Sequence, residues 1–181
     1  MIRGHAPDHE GLPHQPSEAF LMREDAKTPD DLFLKLLRRF QDEGVEYMLV
    51  GGQAVRLNGF VRATEDVDVL LKPGRGNGEK TIRALSFLPS SAELDSAWFE
   101  PHAEGDIENI RVADDLLVDL LFAANGETFE SLQPYVRTLQ VEGVSVKLLN
   151  IEGLLRSKTD YREKDILDKS MLRKLRDRLP P

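Results

Sequence analysis

The chain is expected to adopt a mixed α/β (α+β) fold, a small mixed sheet with flanking helices and a C-terminal helical segment. Three observations carry this expectation. Short apolar runs with strand character, such as Tyr47–Val50 and Leu116–Phe122, are interleaved with segments whose apolar residues recur at helical spacing. Glycines stand where such elements should turn or stop, at Gly44, Gly51-Gly52, Gly59 and Gly143. The composition is that of a folded globular chain: 181 residues, 40% hydrophobic, with enough length for one core and a small appendage.

In chain order, residues 1–27 are punctuated by Pro7, Pro13 and Pro16 and form no periodic pattern. They are expected to be a flexible N-terminal arm whose histidines, His5, His9 and His14, do not fix a metal geometry. Thr28-Pro29-Asp30-Asp31 starts a helix with a capping hydroxyl, proline in the first turn and acids at its positive end. Leu32, Phe33, Leu36, Leu37 and Phe40 form its apolar stripe, and Gly44 ends it. The strand Tyr47–Val50 runs into a glycine turn and a short helix that stops near Gly59, and Thr64–Leu71 is a second strand. Pro73–Gly78 is expected to be a loop leading into a helix over Glu79–Leu88; it lacks the Lys-Ser/Thr ending of a P-loop. Strands are expected at 107–112, 116–122, 135–141 and 144–148, the last two joined by a Glu142-Gly143 hairpin turn. Helices at 151–159 and 162–179 close the chain. The expected division is an arm (1–27), a core (28–149) and a C-terminal helical segment (150–181) packed on it.

The absence of cysteine excludes disulfides, thiolate metal sites and a cysteine nucleophile. No apolar run approaches the roughly 20 residues needed to span a bilayer, so a cytoplasmic protein without membrane contact is expected. A net charge of −8 argues against a general coat on nucleic acid. The charge is uneven, however: residues 151–181 carry a net +3, whereas Glu93–Asp119 holds nine acids and one base, Arg111. A solvated acidic face is the plain reading of that run.

The chemistry concentrates in Asp66-Val67-Asp68. Along a strand alternate residues share a face, so Asp66 and Asp68 stand together while Val67, Val69 and Leu71 enter the core. Such a pair is tolerated when solvated or when a cation lies between the carboxylates, and a hard divalent ion takes oxygen ligands of this kind. In Leu116–Phe122 the same alternation puts Asp119 opposite an apolar face; if the two strands are neighbours, three carboxylates converge as metal-assisted phosphoryl chemistry requires. Asp114 and Asp115 are nearby but lack that alternation. Gly51-Gly52, opening a helix fourteen to sixteen residues before the aspartates, allows a phosphate close to the backbone. Lys158 falls on the buried stripe of Ile151, Leu154 and Leu155, and Asp168 heads another with Leu172, Leu175 and Leu179. Lys158 thus either reaches an anion or pairs with Asp165 or Asp168, and Arg62 is either a phosphate ligand or an aspartate partner.

The run Gly51-Gly52-Gln53-Ala54, Gly59, Arg62, Thr64, Asp66, Asp68, with Lys158 and Lys164-Asp165-Ile166-Leu167-Asp168 behind it, resembles the nucleotidyltransferase superfamily with the DNA polymerase β-type fold. It is most similar to the abortive-infection toxin-like group, over about residues 30–175. The resemblance implies a nucleotidyltransferase core, with Asp66, Asp68 and Asp119 holding Mg²⁺ or Mn²⁺ and Asp119 helping to activate the attacking hydroxyl. Gly51, Gly52, Arg62 and Thr64 would line the nucleotide, and Lys158 joins the catalytic set. The implied reaction moves a nucleoside monophosphate from an NTP to a hydroxyl of tRNA or other RNA, a protein or a small molecule, releasing pyrophosphate. A non-catalytic, nucleotide-binding or regulatory member of a toxin–antitoxin pair, with a cognate antitoxin or other partner protein, is the alternative.

Overall fold

The computed structural model describes residues 28–60, 64–101 and 107–178. The expected arm, with its histidines, and Arg62 lie outside the described residues. Helix α1 (Pro29–Glu43) begins as the sequence implies: Thr28 Oγ1 accepts from the Asp31 amide, and Asp31 accepts in return from the Thr28 amide, a reciprocal cap. It ends at Gly44, whose φ of 65° is the left-handed conformation that glycine adopts without steric cost. The five apolar stripe residues are all buried.

Strand β1 (Tyr47–Leu49) leads directly into α2 (Gly51–Leu57), and β2 (Asp66–Leu71) returns antiparallel to β1. After α3 (Arg75–Leu85), strands β3 (Ile110–Ala113) and β4 (Leu117–Leu121) pair antiparallel. A two-stranded ribbon, β5 (Ala123–Ala124) and β6 (Glu127–Thr128), precedes the short helix α4 (Phe129–Leu132). The hairpin of β7 (Val136–Val141) and β8 (Val144–Leu149) turns at Glu142 and Gly143, both at positive φ, as expected. Helices α5 (Ile151–Ser157) and α6 (Glu163–Arg176) follow.

The main sheet has six strands in the order β3-β4-β2-β1-β8-β7. β2–β4 and β1–β8 are parallel and the other neighbours antiparallel, which makes it the mixed sheet that the sequence predicts. Its apolar residues, among them Val67, Val69, Val118 and Leu120, join the α1 stripe in one core. Helix α1 packs on α3, and α5 packs on α2 and α6. Among the described residues no helix is long and apolar enough to cross a membrane.

One expected element is corrected. The segment 73–78 is not a loop throughout: α3 starts at Arg75 and carries Gly76, Asn77 and Gly78 within it, ending at Leu85 rather than Leu88. Tertiary contacts override the weak helix propensity of this stretch. The buried Asn77 amide accepts from the Glu46 amide and donates to the carbonyls of Glu46 and Lys72, stitching α3 to β1 and β2. Gly78 makes room for Phe99, because a Cβ at that position would lie 2.6 Å from the Phe99 ring.

The C-terminal segment is tied by one buried charge pair and by a second whose lysine alone is buried. Lys158 closes α5 and donates to Asp168 on α6 at 2.6 Å, with Asp165 at 3.7 Å. Thr159 donates from both its amide and its hydroxyl to Asp165, and buried Lys169 holds Asp160 at 2.7 Å. Burial alone would raise the Asp165 carboxyl, but the two Thr159 bonds and the Lys158 charge hold it below its ordinary value.

Two measurements check this packing. At an open helical site Gly→Ala stabilises by up to about 1 kcal/mol, whereas Gly78→Ala should destabilise by roughly 1–3 kcal/mol in denaturant unfolding because Phe99 cannot yield. Asp168→Ala, which leaves the buried Lys158 ammonium with only the more distant Asp165, should cost up to about 3–5 kcal/mol in the same assay.

Candidate active site

The site grows from strand register. β2 and β4 run parallel with Asp68 opposite Asp119, and β4 and β3 antiparallel with Asp119 opposite Arg111. Paired residues share a face, so Asp68, Asp119 and Arg111 stand in a row, and Asp66 lies two residues along β2 on that same face. The alternation expected from the sequence holds: Val67 and Val69 are fully buried, while Asp66 and Asp68 are half-buried. Asp114 is used elsewhere, accepting from the amide and hydroxyl of Ser90, and Asp115 is exposed.

Three carboxylates so close repel one another. Burial, and after it the Asp119 charge, pushes the Asp68 carboxyl above its ordinary value; the Gly52 amide and the Lys164 ammonium act in the opposite direction. Asp119 is held differently. Arg111 donates from Nε to Oδ1 and from Nη2 to Oδ2, each at 2.7 Å, a bidentate fork that occupies both carboxylate oxygens. That bond is the main cause raising the Arg111 guanidinium above its ordinary value.

The glycine pair exists for Asp68 and Thr64. Gly51 sits at φ 59°, and a Cβ there would fall inside the Asp68 carboxylate. A Cβ on Gly52 would lie 2.5 Å from Thr64 Oγ1, and the Gly52 amide donates to Asp68. Thr64 also donates to the Asp66 carbonyl at 3.3 Å, fixing the entry to β2. The two glycines therefore allow α2 to approach β2 until its first amides meet the Asp68 carboxylate.

A cleft of about 470 Å³ opens over this point. Gly51, Gly52 and Asp68 line it from the sheet side; Lys158, Arg162 and Lys164 come from the C-terminal segment. Of the predicted residues, Gly51, Gly52, Asp68 and Lys158 border the cleft, with Asp66 and Asp119 beside Asp68 and Thr64 behind Gly52. Lys158 reaches the cleft with its ammonium already engaged by Asp168. Arg162 and Lys164 supply cations that the sequence reading did not assign to the site, although Lys164 belongs to the C-terminal motif. Asn125 was missed as well: its side chain donates to the Arg156 and Lys158 carbonyls and anchors the end of α5. The Asn125-Gly126 turn, with both residues at positive φ, is a hairpin signal readable in the sequence.

The donor set suits a hard divalent cation, since carboxylate oxygens with surplus negative charge gather at Asp66 and Asp68. Among the described residues no three carboxylate or imidazole groups are disposed to ligate a metal together, and Asp119 is engaged by the Arg111 fork.

No protein-family model and no curated protein sequence matches the chain. Among solved structures it is similar to a Thermotoga maritima protein described as a nucleotidyltransferase, with a TM-score of 0.52 and 16% identity over 92% of this chain and 98% of that one. The antibiotic-resistance factor ANT(2'')-Ia aligns with a TM-score of 0.49 and 19% identity over 80% and 82%. An antigenic nucleotidyltransferase-like protein from Paracoccidioides brasiliensis aligns with 0.44 and 21% over 83% and 77%. The similarity to the Thermotoga protein is one of fold, and the six-stranded mixed sheet with its flanking helices is accordingly a nucleotidyltransferase fold.

Proposed function

We propose that the chain is a metal-dependent nucleotidyltransferase that moves a nucleoside monophosphate from an NTP to a hydroxyl and releases pyrophosphate. The observation that carries this reading is the opposition, across one cleft, of Asp68 with its carboxylate neighbours and the cationic residues Arg162 and Lys164. A magnesium or manganese nucleotide has the complementary charge: its cation suits the carboxylates and its phosphates suit the guanidinium and ammonium.

Asp66 and Asp68 would hold the cation, with Asp119 as the third ligand. The bound ion would neutralise charge on the phosphates and orient the leaving group. The chain's own groups do the rest. Lys164 and Arg162 draw the triphosphate into the cleft, and Gly51 and Gly52 leave its floor free of side chains. Thr64 keeps β2 in place beneath them. The acceptor oxygen attacks the α-phosphorus as the bond to the pyrophosphate oxygen breaks, and Asp119 receives the hydroxyl proton. Lys158, bound to Asp168, positions the segment that carries Arg162 and Lys164. Arg62 is assigned to the nucleotide by resemblance alone. Catalysis of this type rests on positioning and electrostatics.

The resemblance to abortive-infection toxin-like proteins and the net +3 of residues 151–181, of which Lys158, Arg162 and Lys164 line the cleft, make an RNA end such as that of tRNA the first acceptor to try. Protein and small-molecule hydroxyls are the other arms of the same assay. With labelled NTPs and these pools, wild type should transfer label in Mg²⁺ or Mn²⁺, lose it on chelation and recover it on readdition. Asp68→Ala should lower transfer by at least about 100-fold with unchanged thermal unfolding; full activity in that variant contradicts the mechanism. Lys164→Ala removes an exposed cation and should raise KM for the NTP by about tenfold, with a smaller change in kcat.

A further inference from the structure

The segment Glu93–Asp119 contains nine acids and one base, and that base is the residue locked onto Asp119. We propose that Arg111 is the internal counter-ion of the carboxylate site, holding Asp119 until a divalent cation displaces it. The inference rests on the reading of Asp66, Asp68 and Asp119 as the cation site.

Three observations support it. The fork engages both Asp119 oxygens at 2.7 Å, so a cation reaching this carboxylate competes with the guanidinium for it. The pair is asymmetric: the Asp119 side chain is 14% exposed and that of Arg111 60% exposed. Arg111 can therefore leave toward water without stranding a buried cation, whereas Asp119 stays where β4 holds it. Arg111 also acts beyond its own partner, since Asp66 and Asp68 both contribute to its electrostatic environment. One guanidinium thus offsets part of the negative charge of three carboxylates, the service a divalent ion would also render.

A purely structural role, a cross-strand ion pair securing the edge strand β3, makes a different prediction. Removing such a pair would loosen β3 and leave cation affinity unchanged or weaker. A counter-ion role predicts tighter cation binding, because the metal no longer competes with the fork. The replacement Arg111→Lys separates the two further, since a lysine keeps the charge but cannot grip both oxygens in a plane.

The test is a Mn²⁺ titration of the full chain without nucleotide, followed by calorimetry and electron paramagnetic resonance, on wild type, Arg111→Gln, Arg111→Lys and Asp68→Asn, with thermal unfolding of each. Arg111→Gln should bind Mn²⁺ about tenfold more tightly than wild type, the scale set by one charge-assisted fork, and Arg111→Lys should fall between them. Unchanged or weaker binding in a folded Arg111→Gln, alongside loss of binding in Asp68→Asn, would overturn the Arg111 proposal and leave the site reading standing. Binding that ignores Asp68→Asn, or no binding in any form, would overturn the site reading and the proposal with it. Should Arg111→Gln fail to fold, Arg111→Lys decides by the same sign: tighter Mn²⁺ binding supports the proposal and wild-type or weaker affinity overturns it.

Discussion

Parallel pairing of β2 with β4 places Asp68 beside Asp119, and the surrounding site is organised by the repulsion that results. Two half-buried carboxylates in register, with Asp66 on the same face, are costly in a medium that screens charge less well than water. A slip of one residue in either strand would send the carboxylates into the apolar core and bring valines to the surface, so the register is enforced by Val67, Val69, Val118 and Leu120. The core thus imposes the charge cluster, and the cluster is then met by three sources of positive potential: the Gly52 amide, the Arg111 fork and Lys164.

The glycine pair takes on a definite meaning in this setting. In the sequence, Gly51-Gly52 is read as room for phosphate; in the fold, both glycines are first required by the protein itself. Gly51 clears the Asp68 carboxylate and Gly52 clears Thr64. Close approach of backbone to carboxylate and open access for a ligand are compatible consequences of the same missing side chains. The C-terminal segment contributes differently. Its ion pairs Lys158–Asp168 and Lys169–Asp160 hold the connection between α5 and α6 together with the start of α6, which present Arg162 and Lys164 at the cleft.

Much of the fold was legible because its signals are local. The Thr28 cap, the Gly44 stop, the Glu142-Gly143 hairpin and the alternation around Asp66 and Asp119 each depend on a few neighbouring residues. What escaped the sequence depends on distant partners. Helix α3 begins in a glycine-rich stretch because Asn77 meets Glu46 and Lys72 and Gly78 meets Phe99, contacts with no trace in local pattern. Arg111 and Asp119 are eight residues apart, and only the position of the turn between β3 and β4 makes them partners. The spacing that put Lys158 and Asp168 on buried stripes was correct about burial; which anion the lysine meets required the packing of α6 on α5.

In the proposed function, the carboxylates brought together by β2 and β4 receive the cation of a nucleotide whose phosphates face the C-terminal segment. A crystal structure of the full chain with Mn²⁺ and a non-hydrolysable NTP, with the manganese located by its anomalous signal, tests this directly. The expected result is a manganese peak ligated by Asp66 and Asp68, with the triphosphate running past Gly51 and Gly52 toward Lys164. Manganese away from these aspartates, or a nucleotide bound outside the cleft, would contradict it.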